Sequence, residues 1–134
     1  MKLIRAILRF FILAYDRTFK PVPETRSLEN QSKVDRETAS LALYHFEACP
    51  FCVKVRRHIV RRGLKIEMRD VKRDKRYDKE LMSGGGKFQV PCLRITQPNG
   101  AVEWLYESSD IMSYLDRRFP PVGAIAQLPS APQA

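Results

Sequence analysis

An α/β fold, with one mixed four-stranded sheet carrying helices on both faces, is what residues 39–120 of this chain predict. Three observations carry that prediction. Short apolar runs of strand character alternate with amphipathic helical stretches in the order βαβαββα, and a βαβ unit followed by a ββα unit closes as one mixed sheet. Cys49-Pro50-Phe51-Cys52 stands where the first strand gives way to the first helix. Val90-Pro91 follows a run of three glycines and opens a later strand. With 134 residues the chain has material for one core of roughly 80 to 100 residues plus appendages.

The elements follow in order. Residues 1–19 begin MKLIRAILRFFILAY, a helical segment in which Lys2, Arg5 and Arg9 share one narrow face while Leu3, Ile4, Ile7, Phe10, Phe11 and Ala14 lie elsewhere. Arg5 and Arg9 interrupt the apolar run, which falls short of the ~20 residues of a spanning helix. Tyr15-Asp16-Arg17 comes next, with no small-residue cleavage pattern. The segment reads as an amphipathic helix, and two readings stay open. It lies in the headgroup region of a membrane, or it docks on protein. In the first case Arg17, Lys20 and Arg26 favour a domain on the cytoplasmic face.

Residues 20–38 are polar and without clean periodicity, and read as a tether. Leu41 to Phe46 predicts a buried strand, and Pro50 to Arg62 a helix with Cys52, Val55 and Ile59 inward and Gly63 as its stop. Ile66 to Val71 predicts a second strand and Lys75 to Met82 a short helix. Cys92 to Thr96 and Val102 to Leu105 form a hairpin around Pro98-Asn99-Gly100. Ser108 to Phe119 closes as a helix with Ser108 as its cap. Residues 121–134, rich in Pro and Ala, are expected to be a disordered tail.

Three cysteines cannot build the even-numbered disulfide framework of a small secreted scaffold, which points to a reducing, cytoplasmic setting and to chemistry at Cys49 and Cys52. Zinc would need about four ligands, and beyond that pair only Cys92, His45 and His58 remain, without a second paired spacing, so no metal is expected. Free backbone N–H groups and the helix dipole favour an anion at Cys49, which makes it the expected attacking thiolate. Pro50 suits the first helical turn, and Lys54, Arg56 and Arg57 add positive potential. Cys52, one turn further in, is placed to resolve a mixed disulfide formed at Cys49. Cys92 alternates inward and reads as a buried apolar residue.

A proline inside an otherwise central strand calls for an explanation, and a cis Val90–Pro91 bond supplies one: it would leave the Val90 N–H and C=O free to bind the backbone of a cysteinyl peptide. In Tyr106-Glu107-Ser108-Ser109-Asp110 a strand meets a helix whose N–H groups can hold a carboxylate while Glu107 pairs with an amine, together suiting an amino-acid group. The net charge of +9, with its excess between Lys54 and Lys87, attracts anions. Little aromatic interleaving accompanies it, so nucleic acid is not the expected partner.

Taken together, CPFC, QVP and ESSDIMSYL resemble the glutaredoxin family over about residues 40 to 120, and particularly the branch similar to the N-terminal half of a glutathione S-transferase. The resemblance implies a thioredoxin fold, glutathione as cosubstrate and disulfide-containing proteins as partners. It also implies catalysis by Cys49 with Cys52 as its disulfide partner, and glutathione held by Lys87, Gln89, Val90, Pro91, Glu107 and Ser108. The leading helix is similar to that of small bacterial glutaredoxin-like proteins. Many glutaredoxins carry Lys or Arg three residues before the first cysteine, where this chain has Phe46; Lys87 is then the candidate cation for the glycyl carboxylate. Transferases continue into an all-helical second domain where this chain has a proline-rich tail, so glutathione conjugation is not expected.

The expected function is therefore glutathione-linked reduction of protein disulfides or mixed disulfides. Two alternatives stand beside it. One is a membrane-associated thiol-dependent isomerase or synthase acting on a lipid-derived peroxide. The other is a non-enzymatic redox-sensing adaptor docking through Lys54, Arg57 and Arg61.

Overall fold

The computed structural model describes residues 2–23 and 25–120. Helices α1 (Lys2–Thr18) and α2 (Leu28–Thr38) precede strand β1 (Leu41–His45), helix α3 (Pro50–Arg61), strand β2 (Glu67–Asp70) and helix α4 (Lys75–Glu80). Strands β3 (Cys92–Thr96) and β4 (Val102–Tyr106) and helix α5 (Ser108–Arg118) complete the described chain. The sheet order is β2-β1-β3-β4, with β1 parallel to β2 and antiparallel to β3, and β3 antiparallel to β4. This is the mixed four-stranded α/β architecture that the alternation of apolar segments predicts, preceded by an N-terminal helix.

Every residue of β1 is buried, because both faces of the sheet are covered. Leu41 and Leu43 point into one core with Val55 and Ile59 of α3 and Ile111 and Leu115 of α5. Ala42 and Tyr44 point the other way, against Leu81 and Cys92, with Trp104 and Tyr106 packed on that cluster. Each such Leu or Ile contributes roughly 1.5–3 kcal/mol by leaving water.

Helix α3 stops at Gly63, whose φ of 65° lets its N–H return to Val60 O. The hairpin turns at Gly100, φ 87°, with Asn99 Oδ1 accepting from the Ala101 N–H at 3.0 Å. Helix α4 is shorter than its sequence predicts. After Glu80 the chain widens into a π-helical turn, Leu81–Gly85, which drops Leu81 into the second core. The glycines that follow have a packing reason: a Cβ on Gly84 would run into the Trp104 indole and one on Gly85 into the Tyr106 hydroxyl.

Two local expectations are corrected. Residues 28–38, expected to be part of a tether, form α2. Ser27 caps it by accepting from the Asn30 N–H at 3.2 Å, and Gln31 reaches Gly63 O at 3.0 Å. Val34 is its one apolar residue packed on the core, with Thr38 buried beside it, too little to print a helical period on the sequence. Glu107, not Ser108, occupies the cap position of α5; Ser108 is its first helical residue. The expected tail, 121–134, lies outside the described residues.

Candidate active site around Cys49

Cys49 ends the β1–α3 loop in an extended conformation (φ −78°, ψ 125°) and caps α3. Its carbonyl accepts the first helical bond, from the Val53 N–H at 2.9 Å, and Pro50 follows in the first turn, where a missing N–H costs nothing. Cys49 is half-buried and Cys52 fully buried. Burial pushes the Cys52 thiol up to about 12, with the charge of Cys49 adding to the rise. The Phe46 N–H, donating to Cys52 Sγ at 3.4 Å, opposes it. At neutral pH Cys52 is therefore a protonated thiol behind a more exposed one.

The strand register gathers the three sequence motifs at one end of the sheet. Cys92 lies opposite Tyr44 on β1 and opposite Tyr106 on β4. Val90 and Pro91, immediately before β3, thus sit at the edge where β1 runs out toward Cys49 and where β4 runs out toward Glu107 and Ser108. The Val90–Pro91 bond is cis, and Val90 stands outside the sheet ladder. Gln89 Nε2 donates to Glu107 Oε1 at 3.1 Å. Lys87 is exposed, with its ammonium 5.7 Å over the Tyr106 ring and its carbonyl accepting from the Tyr106 hydroxyl. Glu107 is the one described non-glycine residue with positive φ, 71°.

Cys92 is fully buried, and burial pushes its thiol up to about 12. This has a consequence at alkaline pH. The unfolded chain releases these thiol protons near the ordinary value of 9.0 while the folded chain keeps those of Cys52 and Cys92. The folded state then binds more protons, so stability falls as pH rises, by about 1.4 kcal/mol per pH unit for each thiol. Denaturant titrations between pH 9 and 10, before the likewise raised Tyr44 and Tyr106 add their share, are expected to show the slope develop, and Cys92→Ala to remove about half of it.

Arg56 has a role that residue type alone does not reveal. Its guanidinium donates to Phe46 O at 3.0 Å, Glu47 O at 2.7 Å and His45 Nδ1 at 3.0 Å, and reaches Asp16 Oδ2 on α1 at 3.2 Å. Arg57 faces Asp16 at 3.7 Å and lies 4.8 Å over the Tyr15 ring. Expected to add positive potential near Cys49, this pair also fastens α1 and the loop before Cys49. Phe46, three residues ahead of Cys49, carries the Lys72 ammonium 4.7 Å over its ring. Among the described residues no group of three or more His, Cys, Asp or Glu side chains is placed to hold a metal ion. His58 instead bridges α3 to Asp116 of α5 at 2.8 Å.

A family model, that of the glutathione S-transferase N-terminal domain, matches residues 43–123. Crystal structures of maleylacetoacetate isomerase from Anaeromyxobacter dehalogenans 2CP-1 are similar. One is 27% identical over 60% of this chain and 36% of its own, with a TM-score of 0.46. A second, with dicarboxyethyl glutathione and citrate in its active site, is 26% identical over 60% of this chain and 37% of its own, with a TM-score of 0.47. A third, with bound GSH, is 25% identical over 60% of this chain and 38% of its own, with a TM-score of 0.46. The present chain thus spans well under half the length of these proteins. No curated protein matches it significantly.

Proposed function

Because this chain belongs to the glutathione S-transferase N-terminal domain family, we propose that it is a glutathione-dependent thiol–disulfide oxidoreductase of the glutaredoxin type, with Cys49 as nucleophile. The observation that supports this reading most is the pairing of a half-exposed Cys49 at the mouth of α3 with a buried, protonated Cys52 behind it. A conjugating site has no need of a second thiol one turn along the helix.

In this reading glutathione lies along Val90 and Pro91, its γ-glutamyl group at Glu107, Ser108 and Gln89 and its glycyl carboxylate toward Lys87. The Cys49 thiolate attacks the glutathionyl sulfur of a mixed disulfide; the S–S bond breaks, and the departing thiolate takes a proton from water. A second glutathione thiolate then attacks the glutathionyl sulfur on Cys49, releasing oxidised glutathione and restoring the enzyme. For protein disulfides Cys49 attacks one substrate sulfur and the other leaves as a thiol; Cys52 then gives up its proton and attacks Cys49 Sγ, releasing the second substrate thiol and leaving a Cys49–Cys52 disulfide that two glutathiones reduce, with release of oxidised glutathione. The purified chain should reduce hydroxyethyl disulfide in an assay coupled to glutathione reductase. A folded chain that binds glutathione yet leaves the disulfide intact would sink the proposal.

Glu107 supplies a finer test. A non-glycine residue at φ 71° costs about 1 kcal/mol or more, a strain expected where function holds it in place. Glu107→Gly should therefore raise the unfolding temperature while weakening glutathione binding. A stabilised variant that binds glutathione undiminished would remove Glu107 from the site.

A place for the protein is proposed as well: the cytoplasmic face of a membrane, touched through α1. No described helix is long and apolar enough to cross a membrane. Leu3 and Phe10, 72% and 66% exposed, lie on the side of α1 opposite Leu8 and Ile12, and no residue of the helix is buried. An amphipathic helix with its apolar side uncovered suits an interface. Sedimentation with anionic vesicles should carry down the wild-type chain and leave Leu3→Ser/Phe10→Ser in solution.

A further inference from the structure

The opposite side of α1 raises a separate question. Arg5, Leu8, Arg9 and Ile12 form one wall of a cleft of about 580 Å³, and Cys49 with Phe46, Glu47, Asp70, Lys72 and Arg73 stand on the other. The helix thus turns its cationic stripe toward the reactive cysteine. Arg73 is occupied by Glu47 at 3.6 Å and Asp70 at 3.7 Å. Among the described residues no carboxylate pairs with Arg5, Arg9 or Lys72.

We infer that this cleft binds the second substrate, a small amphiphilic organic anion: a carboxylate held by Arg5 and Arg9 on a short apolar body lying along Leu8, Ile12 and Phe46. Its volume falls in the range of clefts that hold small molecules. Resting on the oxidoreductase reading, the inference makes that anion the thiol half of a glutathione mixed disulfide. Cys49 attacks the glutathionyl sulfur, the electron pair leaves on the acid's sulfur, and that sulfur takes a proton from solvent. Cys49 is left joined to glutathione, which a second glutathione removes as oxidised glutathione.

Two measurements on the full chain test this. Calorimetric titration with octanoate should show binding that Arg5→Gln/Arg9→Gln weakens about tenfold or more, since glutamine keeps helix propensity but loses the charge. Leu3→Ser/Phe10→Ser, on the outer side of α1, should bind octanoate as the wild type does. Absent binding, binding indifferent to the arginines, binding lost with the outer-face variant, or capture of an acidic peptide in place of octanoate would each overturn the inference. In turnover, the wild type should prefer the glutathione mixed disulfide of mercaptopropionate over that of cysteamine by about tenfold, and Arg5→Gln/Arg9→Gln should reduce both at similar rates. Turnover of both without preference overturns the inference alone. Failure to reduce either overturns the oxidoreductase reading beneath it, while octanoate binding still reports on the cleft.

Discussion

Cys49→Ser is expected to lower glutathione-dependent disulfide reduction by about a thousandfold or more, because the sulfur that forms the covalent intermediate is removed and a hydroxyl cannot replace it. The fold should be retained, since Cys49 caps α3 without a side-chain hydrogen bond, so the loss will not be one of stability. Cys52→Ser should behave differently. The Cys52 thiol is pushed up to about 12, chiefly by burial, so little of it is ionised at neutral pH. Glutathione, entering from solvent with an ordinary thiol, resolves the intermediate on Cys49 without Cys52. Reduction of a small mixed disulfide should therefore fall by less than about tenfold in Cys52→Ser, whereas reduction of a protein disulfide, which needs an intramolecular attack, should fall much further. The coupled assay on the two substrate types separates these outcomes. Equal loss of both activities in Cys49→Ser and Cys52→Ser would mean that the two sulfurs act as one unit, as a buried disulfide or a shared ligand pair would.

The elements that the sequence makes legible are those whose own residues are apolar at a regular spacing. Leu41 to His45 alternates sides, and Val55 and Ile59 fall one turn apart, so β1 and α3 can be read directly and their burial follows. Helix α2 escapes because Val34 is its one apolar residue packed on the core, with Thr38 buried beside it, and its stability comes from a cap at Ser27 and a bond to Gly63 across 32 positions of sequence. The glycines at 84 and 85 print a turn in the sequence, but their reason is the indole and phenol lying against them from β4. At the site, Cys49, Cys52 and the cis Val90–Pro91 bond are legible because each residue type carries its own chemistry. The roles of Arg56 and Arg57 are not. A basic residue on a helix reads as solvated charge until the fold brings Asp16 and two loop carbonyls to it.

That makes Arg56 the second substitution of large expected effect. Arg56→Met keeps the aliphatic stem and removes every donor, leaving Glu47 O and His45 Nδ1 without a partner and Phe46 O with only the Cys49 N–H at 3.4 Å, in a part-buried loop. Losing charged donors to such groups costs about 2–4 kcal/mol, which lowers the unfolding temperature by roughly 10 °C or more for a domain of this size. Arg56→Lys should recover little of this, because a single ammonium cannot reproduce the planar fork that reaches four acceptors. His45 gives an independent readout. Burial lowers its pKa from the ordinary 6.5, and the Arg56 charge lowers it further, so the folded state keeps His45 neutral where the unfolded state takes up a proton. Stability from this group is therefore lost as pH falls below the unfolded value. Arg56→Met should raise the His45 pKa in an NMR titration and soften that acid loss while lowering stability at pH 8. It should also slow disulfide reduction, since the loop that presents Cys49 is no longer held to α3. An unchanged His45 titration together with full activity would mean that the guanidinium fastens neither the loop nor the ring.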